Sequence, residues 1–176
     1  RVELGLRGEH NITNALAAVA GAVSGGLAPT LVAEALTAAK TLSPHRMDLR
    51  ERPDGVTILD DAYNANPDSM AAGLQAVTAM AAATGRRPVA VLGEMLELGV
   101  HTDHEHQRVG ELAAELNIAL LVVVAEAAAE IAAGAEATGG CIEVVQVADN
   151  RAAKQVLDEL LSPGDIVLVK ASNGAG

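Results

Sequence analysis

Phenylalanine and tryptophan are absent from these 176 residues, and tyrosine occurs once, at Tyr63. Such a chain has little on which successive nucleobases could stack. Its core must be assembled from Val, Leu, Ile, Ala and Met. The single cysteine, Cys141, excludes an intramolecular disulfide and fits a reducing compartment. No apolar run reaches the ~18 residues needed to cross a bilayer, and charged Arg1–His10 lacks the apolar segment of a signal peptide. Positive charge is scarce: the formal net charge of −11 argues against sequence-independent nucleic-acid binding. An anionic small ligand stays open, because local N–H groups and one or two cations can hold a phosphate in an acidic protein. Phosphate-binding loops are missing too. There is no G-x-x-x-x-G-K-[ST] and no G-x-G-x-x-G after the first strand, and Ser172-Asn173-Gly174-Ala175-Gly176 fits neither spacing. Those absences point away from a self-sufficient ATPase or dehydrogenase, and the lack of a G-x-S-x-G elbow leaves a serine-nucleophile reading without support. Small molecules are the expected substrates.

What is present is a chain half hydrophobic, with alanine gathered in helical stretches and β-branched residues in short runs. That division is the pattern of a helix-flanked parallel sheet. Arg1–Arg7 alternates as a short strand, with Val2, Leu4 and Leu6 on one face. The spacing predicts helices over Ile12–Ser24, closed by Gly25-Gly26, and over Pro29–Lys40. So short a piece cannot bury the apolar faces of two helices. Residues 1–45 therefore read as the tail of a larger domain, or as a small helical appendage on the sheet that follows.

Ser43-Pro44-His45-Arg46 marks the boundary. Met47–Arg52 then reads as an edge strand, Pro53-Asp54-Gly55 as a tight turn and Val56–Asp60 as a strand. Helices predicted over Met70–Ala83, Asp103–Glu115, Glu126–Ala137 and Asn150–Leu161 alternate with strands over Val89–Leu92, Ala119–Val124, Ile142–Val147 and Asp165–Lys170. Strands separated by whole helices need crossover connections. The prediction is a Rossmann-like, doubly wound, mostly parallel α/β sheet with helices on both faces.

Between the strand ending at Asp60 and the helix near Met70 lie three carboxylates, Asn64, Asn66, Ser69 and Tyr63. Open parallel sheets bind ligands at the carboxyl ends of their strands, where this loop falls. An ordinary polar strand-to-helix connection would contain the same residue types. Pro67 suits the first turn of the helix, and Asn66 can cap it. Lys170 and Ser172, after the last strand, can reach the same edge. A lysine there offers a point charge to a carboxylate or phosphate, or simply snorkels from a strand end. His101-Thr102-Asp103-His104-Glu105-His106 crowds metal-ligating types together. A solvated helix start, its acidic residues complementing the helix dipole, is the plainer reading. Cys141 has no nearby histidine that would make it a nucleophile.

Four stretches share one pattern. They are Gly8-Glu9-His10-Asn11-Ile12-Thr13-Asn14-Ala15-Leu16-Ala17-Ala18, Asp60-Asp61-Ala62-Tyr63-Asn64-Ala65-Asn66-Pro67-Asp68-Ser69-Met70, Val91-Leu92-Gly93-Glu94-Met95-Leu96-Glu97-Leu98-Gly99 and Val167-Leu168-Val169-Lys170-Ala171-Ser172. In this order they resemble the Mur ligases, the ATP-dependent amide-forming ligases of peptidoglycan precursor synthesis. The Tyr-Asn-Ala-Asn-Pro reading resembles most the branch that joins D-Ala-D-Ala to UDP-N-acetylmuramoyl-tripeptide. The sequence departs from the family's K-G-S-R ending, with Ala171 in place of Gly and Asn173 in place of Arg.

The resemblance implies a three-domain enzyme of which these residues hold the end. Residues 1–45 would be the tail of the central ATP-binding domain, and 46–176 the C-terminal domain that closes over the nucleotide and brings in the acceptor. The uridine-nucleotide domain, the phosphate-binding loop and most magnesium ligands would lie elsewhere, leaving no metal site here. It implies activation of a carboxylate by ATP to an acyl phosphate, which the amine of the dipeptide attacks. His10, Asn11 and Asn14 match positions near the adenine. Arg46 matches a phosphate-reaching arginine, and Asp61 a carboxylate that bonds the ribose hydroxyls beside Tyr63 and Asn64. Asn66, Lys170 and Ser172 fall on the acceptor side, Lys170 and Arg46 as the catalytic cations. ATP, Mg2+, UDP-muramoyl-tripeptide and D-Ala-D-Ala are the implied cofactors and partners of a monomeric, bacterial cytoplasmic protein. A folylpolyglutamate- or cyanophycin-type ligase and a non-catalytic Rossmann-like binding module are the alternatives.

Overall fold

The computed structural model describes residues 2–5, 10–39 and 44–175, and the chain divides between Pro44 and His45 into two units. In the first, α1 (His10–Ser24) ends in a turn with Gly26 at φ +92°, and α2 (Pro29–Ala38) opens on its proline. Val32 is buried, whereas Ile12, Leu16, Leu27 and Leu31 are at least half exposed. These helices have no core of their own among the described residues. Of the strand expected over Arg1–Arg7, residues 2–5 have no regular structure, and the rest lie outside the described residues. No described strand in this unit could pair with it, and an unpaired strand leaves its backbone groups without partners. α2 stops at Ala38 because Ala39 turns extended, and Lys40 lies outside the described residues.

The second unit is a six-stranded sheet in the order β1-β2-β6-β3-β4-β5. Its strands are β1 (Asp48–Glu51), β2 (Thr57–Asp60), β3 (Pro88–Leu92), β4 (Leu120–Val124), β5 (Glu143–Val147) and β6 (Ile166–Lys170). Only the edge pairing of β1 with β2 is antiparallel. Four helices connect the strands: α3 (Pro67–Thr84), α4 (Thr102–Glu115), α5 (Ala129–Ala137) and α6 (Asn150–Leu160). Along β3, Ala90 and Leu92 join the core beneath α3, α4 and α5, while Val89 and Val91 face the α6 side with Ala153. Burial on both faces is why the inner strands β3, β4 and β6 read as continuous apolar runs rather than alternating ones. The doubly wound, mostly parallel α/β fold is as expected.

α3 begins three residues earlier than its apolar spacing suggests. Asn66 accepts a bond from the Ser69 N–H at 2.8 Å, Ser69 Oγ accepts from the Asn66 N–H at 3.0 Å, and Pro67 sits in the first turn. This reciprocal cap fixes where the loop after β2 ends. At the opposite edge of the sheet, Arg86 donates to the Gly55, Gly164 and Asp165 carbonyls. Arg87 pairs with Asp165 and so ties β3 to the start of β6.

Candidate functional site

β2 and β6 are parallel neighbours, and β3 lies on the other side of β6, so their carboxyl ends form one continuous edge. Lys170 ends β6 with its side chain 2% exposed. Its three ammonium hydrogens all have acceptors: Asp61 Oδ2 at 2.6 Å, the Asn64 carbonyl at 2.8 Å and the Asp61 carbonyl at 3.3 Å. Ser172 is equally committed. Its Oγ accepts from the Leu96 N–H at 2.9 Å and donates to the Ala65 carbonyl at 3.3 Å, while its N–H donates to the Glu94 carbonyl. Gly93 closes the arrangement by donating to the Lys170 carbonyl at 3.0 Å, and a Cβ on it would stand 2.8 Å from that of Ala171. Lys170 and Ser172 thus stitch together the loops after β2, β3 and β6.

The tandem carboxylates work on the segment that enters the unit. Asp60 Oδ2 lies 2.8 Å from His45 Nδ1 and 3.2 Å from an Arg50 guanidinium nitrogen. Asp61 Oδ1 accepts from the Met47 N–H at 3.0 Å, and the Tyr63 N–H donates to the His45 carbonyl at 2.9 Å. Both His45 (φ 59°) and Met47 (φ 52°) are left-handed, a conformation costing roughly 1–3 kcal/mol in a residue with a side chain. Three of these interactions, Asp60 with His45, Asp61 with Met47 and Tyr63 with His45, hold it. Between them stands Arg46, exposed, with its guanidinium 3.9 Å above the Tyr63 ring centroid. Among the described residues no carboxylate or carbonyl takes its N–H groups. Five donors in a planar fork are left facing outward, on an aromatic support.

Of the residues singled out in the sequence, Arg46, Asp61, Tyr63, Asn64, Lys170 and Ser172 come together here. Those expected on the acceptor side are otherwise engaged in this structure. Lys170 and Ser172 have internal partners, and the side-chain oxygen of Asn66 is spent on the α3 cap. Asn64 gives its Oδ1 to the Ala65 N–H and its carbonyl to Lys170. Asn11 and Asn14 belong to the first unit, on α1, where Asn14 donates to Asn11 at 3.4 Å. The side chain of His10 lies outside the described residues. The roles of His45 and the Met47 backbone, and the separate partner of Asp60, are not evident from the sequence. The adjacent pair Asp60-Asp61 was the available signal, since two carboxylates in tandem at a strand end need separate partners.

The His101–His106 run is neither a metal cluster nor wholly a solvated helix start. His106 is 1% exposed. Its Nε2 accepts from the Met95 N–H at 2.9 Å, so Nδ1 carries the proton donated to the Thr102 carbonyl at 2.8 Å. Among the described residues no three His, Cys, Asp or Glu side chains converge as a metal site. No helix described is long and apolar enough to cross a membrane.

Fold and site together define a Rossmann-like α/β domain that presents an exposed cation, Arg46, at the carboxyl edge of its sheet. Residues 45–173 match the family model for the Mur ligase, glutamate ligase domain, and the chain belongs to that family. It is 50% identical to the UDP-N-acetylmuramoyl-tripeptide–D-alanyl-D-alanine ligase of Mycobacterium tuberculosis (strain CDC 1551 / Oshkosh), over 99% of this chain and 38% of that protein. Among solved structures it is similar to MurF from Acinetobacter baumannii, with a TM-score of 0.84 and 29% identity over 99% of this chain and 37% of that one. The MurF ligase from Thermotoga maritima, in complex with ADP, gives 0.78 and 25% over 99% and 38%. The chain thus spans little more than a third of the length of these relatives.

Proposed function

We propose that this chain is the C-terminal part of an ATP-dependent ligase that joins D-Ala-D-Ala to UDP-N-acetylmuramoyl-tripeptide in peptidoglycan precursor synthesis, in the bacterial cytoplasm. The observation that carries the reading is Arg46: an exposed guanidinium with no internal anion, set on an aromatic ring at the carboxyl edge of a doubly wound sheet. That edge is where such folds take ligands. A planar fork of unused donors suits the phosphate oxygens of a nucleotide. The naming of the acceptor is supported by the 50% identical relative, whose match runs along nearly the whole of this chain.

In this reading Arg46 binds and orients the polyphosphate of ATP, and Tyr63 and Asp61 border the nucleotide. Lys170 and Ser172 act as scaffolding that holds the wall in place. Placing two anionic reactants and screening their charge is most of what such a reaction asks of a protein. Among the described residues no carboxylates or histidines converge as a magnesium site, so the ion's ligands would come from elsewhere in the ligase. Residues 1–45 are the tail of the central domain, and the exposed Ile12, Leu16, Leu27 and Leu31 would be covered by the rest of it.

The test is acceptor-dependent ADP release by the full-length protein carrying this sequence, given UDP-muramoyl-tripeptide. Release with D-Ala-D-Ala and not with glutamate or single amino acids is expected. Release with another acceptor would move the protein to a different branch of the family, and no release with any would leave a ligand-binding module.

A further inference from the structure

We infer that Lys170 is a positioning residue for Arg46, acting through Asp61. The two cations never touch. What joins them is one carboxylate whose oxygens face opposite ways: Oδ2 takes the Lys170 ammonium at 2.6 Å, and Oδ1 takes the Met47 N–H at 3.0 Å. Met47 is the second of two left-handed residues that bracket Arg46. Without a bond to its N–H, a methionine has no reason to stay in that region, because its Cβ crowds the neighbouring carbonyl there. If Met47 relaxes, the direction in which the chain enters β1 changes and the guanidinium leaves the Tyr63 ring.

Lys170 matters because the Asp61 side chain is only 14% exposed. A carboxylate so placed keeps its orientation when a cation satisfies it, and turns to solvent when that cation is removed. The pairing crosses the sheet edge from β6 to the loop after β2, so the ends of two adjacent strands jointly set one surface side chain. Asp60 supports the other bracket through His45 but makes no hydrogen bond or ion pair with Lys170. The two arms are separable.

The relay stands on geometry alone, whereas its value to the protein rests on the phosphate role given to Arg46 above. Its readout is therefore structural. Protons above an aromatic face are shifted upfield in the NMR spectrum, so the Arg46 δ-methylene and Nε–H resonances of this 176-residue chain report whether the guanidinium is stacked. Tyr63→Leu sets the unstacked value. Lys170→Met should lose most of the upfield shift, while Lys154→Met, at an exposed pair on α6, should keep it. Two double variants remove the stranded charge and so guard against loss of folding. Asp61→Asn with Lys170→Met keeps a carbonyl oxygen for the Met47 N–H and should restore stacking. Asp61→Ala with Lys170→Met offers none and should not. An unmoved resonance in Lys170→Met, or equal shifts in the two double variants, would overturn the relay. Arg46→Ala in the full-length protein tests the phosphate role separately: an unchanged KM for ATP would remove that role and leave the relay standing.

Discussion

The Arg46 guanidinium rests 3.9 Å from the centroid of the Tyr63 ring, and that ring's own backbone N–H donates to the His45 carbonyl. Tyr63 therefore supports Arg46 twice, by its face and through its main chain. A charge-assisted bond to a phosphate contributes about 1.5–3 kcal/mol, which at 1.4 kcal/mol per decade is about a 10- to 100-fold effect. Arg46→Ala in the full-length protein should raise KM for ATP by about that factor, and Arg46→Lys by less, because it keeps the charge but not the fork. Exposed cation–π support is smaller, about 0.5–1 kcal/mol. Tyr63→Leu should accordingly cost only a few-fold, and Tyr63→Phe nothing measurable. Steady-state kinetics at varied ATP decide it; a Tyr63→Phe defect as large as that of Tyr63→Leu would assign the effect to the hydroxyl.

Gly110 of α4 and Gly134 of α5 admit each other's helix. A Cβ on Gly110 would stand 1.9 Å from the Ile131 carbonyl oxygen, and one on Gly134 would stand 2.1 Å from that of Gln107. Helix propensity alone favours alanine over glycine by ~1 kcal/mol. Backbone atoms cannot yield as a flexible side chain does, so overpacking outweighs that gain. Each Gly→Ala change should destabilise by about 2–3 kcal/mol, read as a lower denaturation midpoint. The double variant should cost less than the sum, since one displacement of α5 relieves both contacts.

How much of this was legible in the sequence differs by level. Short apolar runs alternating with alanine-rich helices gave the doubly wound sheet, since both patterns are local. Asn66 and Pro67 announced the start of α3 for the same reason: caps lie within a few residues of what they cap. That Lys170 reaches the edge of Asp61 was legible from its place at a strand end, but its particular acceptors were not, because they lie more than a hundred positions away and depend on β6 sitting beside β2. A lysine at a strand end looks the same whether its charge faces a ligand or is spent on a loop. Left-handed backbone at Met47 was equally silent, since methionine does not favour it and a tertiary bond imposes it; histidine visits that region more often, but nothing local marks His45 as doing so. His106 looked like its neighbours in a run of polar residues, and only its burial beneath Met95 separates it.

Asp165 supplies the pH dependence. Its side chain is 3% exposed, and burial by itself would raise its pKa. The paired Arg87 bonds and the Ser162 N–H outweigh that and hold the carboxyl below its ordinary value of 3.8, while the same pairing raises Arg87. A folded-state pKa below the unfolded one means the ionised form is favoured by folding. The contribution is whole above the unfolded value and is lost as pH falls through the lower, folded one. Asp165→Asn should cost about 2 kcal/mol at neutral pH, at or below the lower end for breaking a buried pair because Arg87 stays partly solvated. It should also flatten the acid limb of the stability curve below about pH 4. Urea midpoints across pH 2–7 test both; an acid limb equally steep in wild type and variant would remove Asp165 as its source.

His106 gives the last prediction, because it fixes the loop after β3 from beneath. The Met95 N–H has no route to water, as Met95 is 1% exposed, and the imidazole Nε2 is its acceptor. Replacing the ring by an apolar side chain would fill much of the space yet strand that donor, at about 1–3 kcal/mol. His106→Leu should therefore destabilise although it adds hydrophobicity to the core. His106→Gln can bring a carbonyl oxygen close to the lost nitrogen and should recover part of the difference. The loop should report the change more sharply than global stability does, since Leu96 beside Met95 bonds Ser172 and through it the Ala65 carbonyl. Amide exchange at Met95 and Leu96 should speed up together in His106→Leu and remain slow in His106→Gln. Unaltered protection at both amides in His106→Leu would mean that Ser172 holds the loop without the histidine.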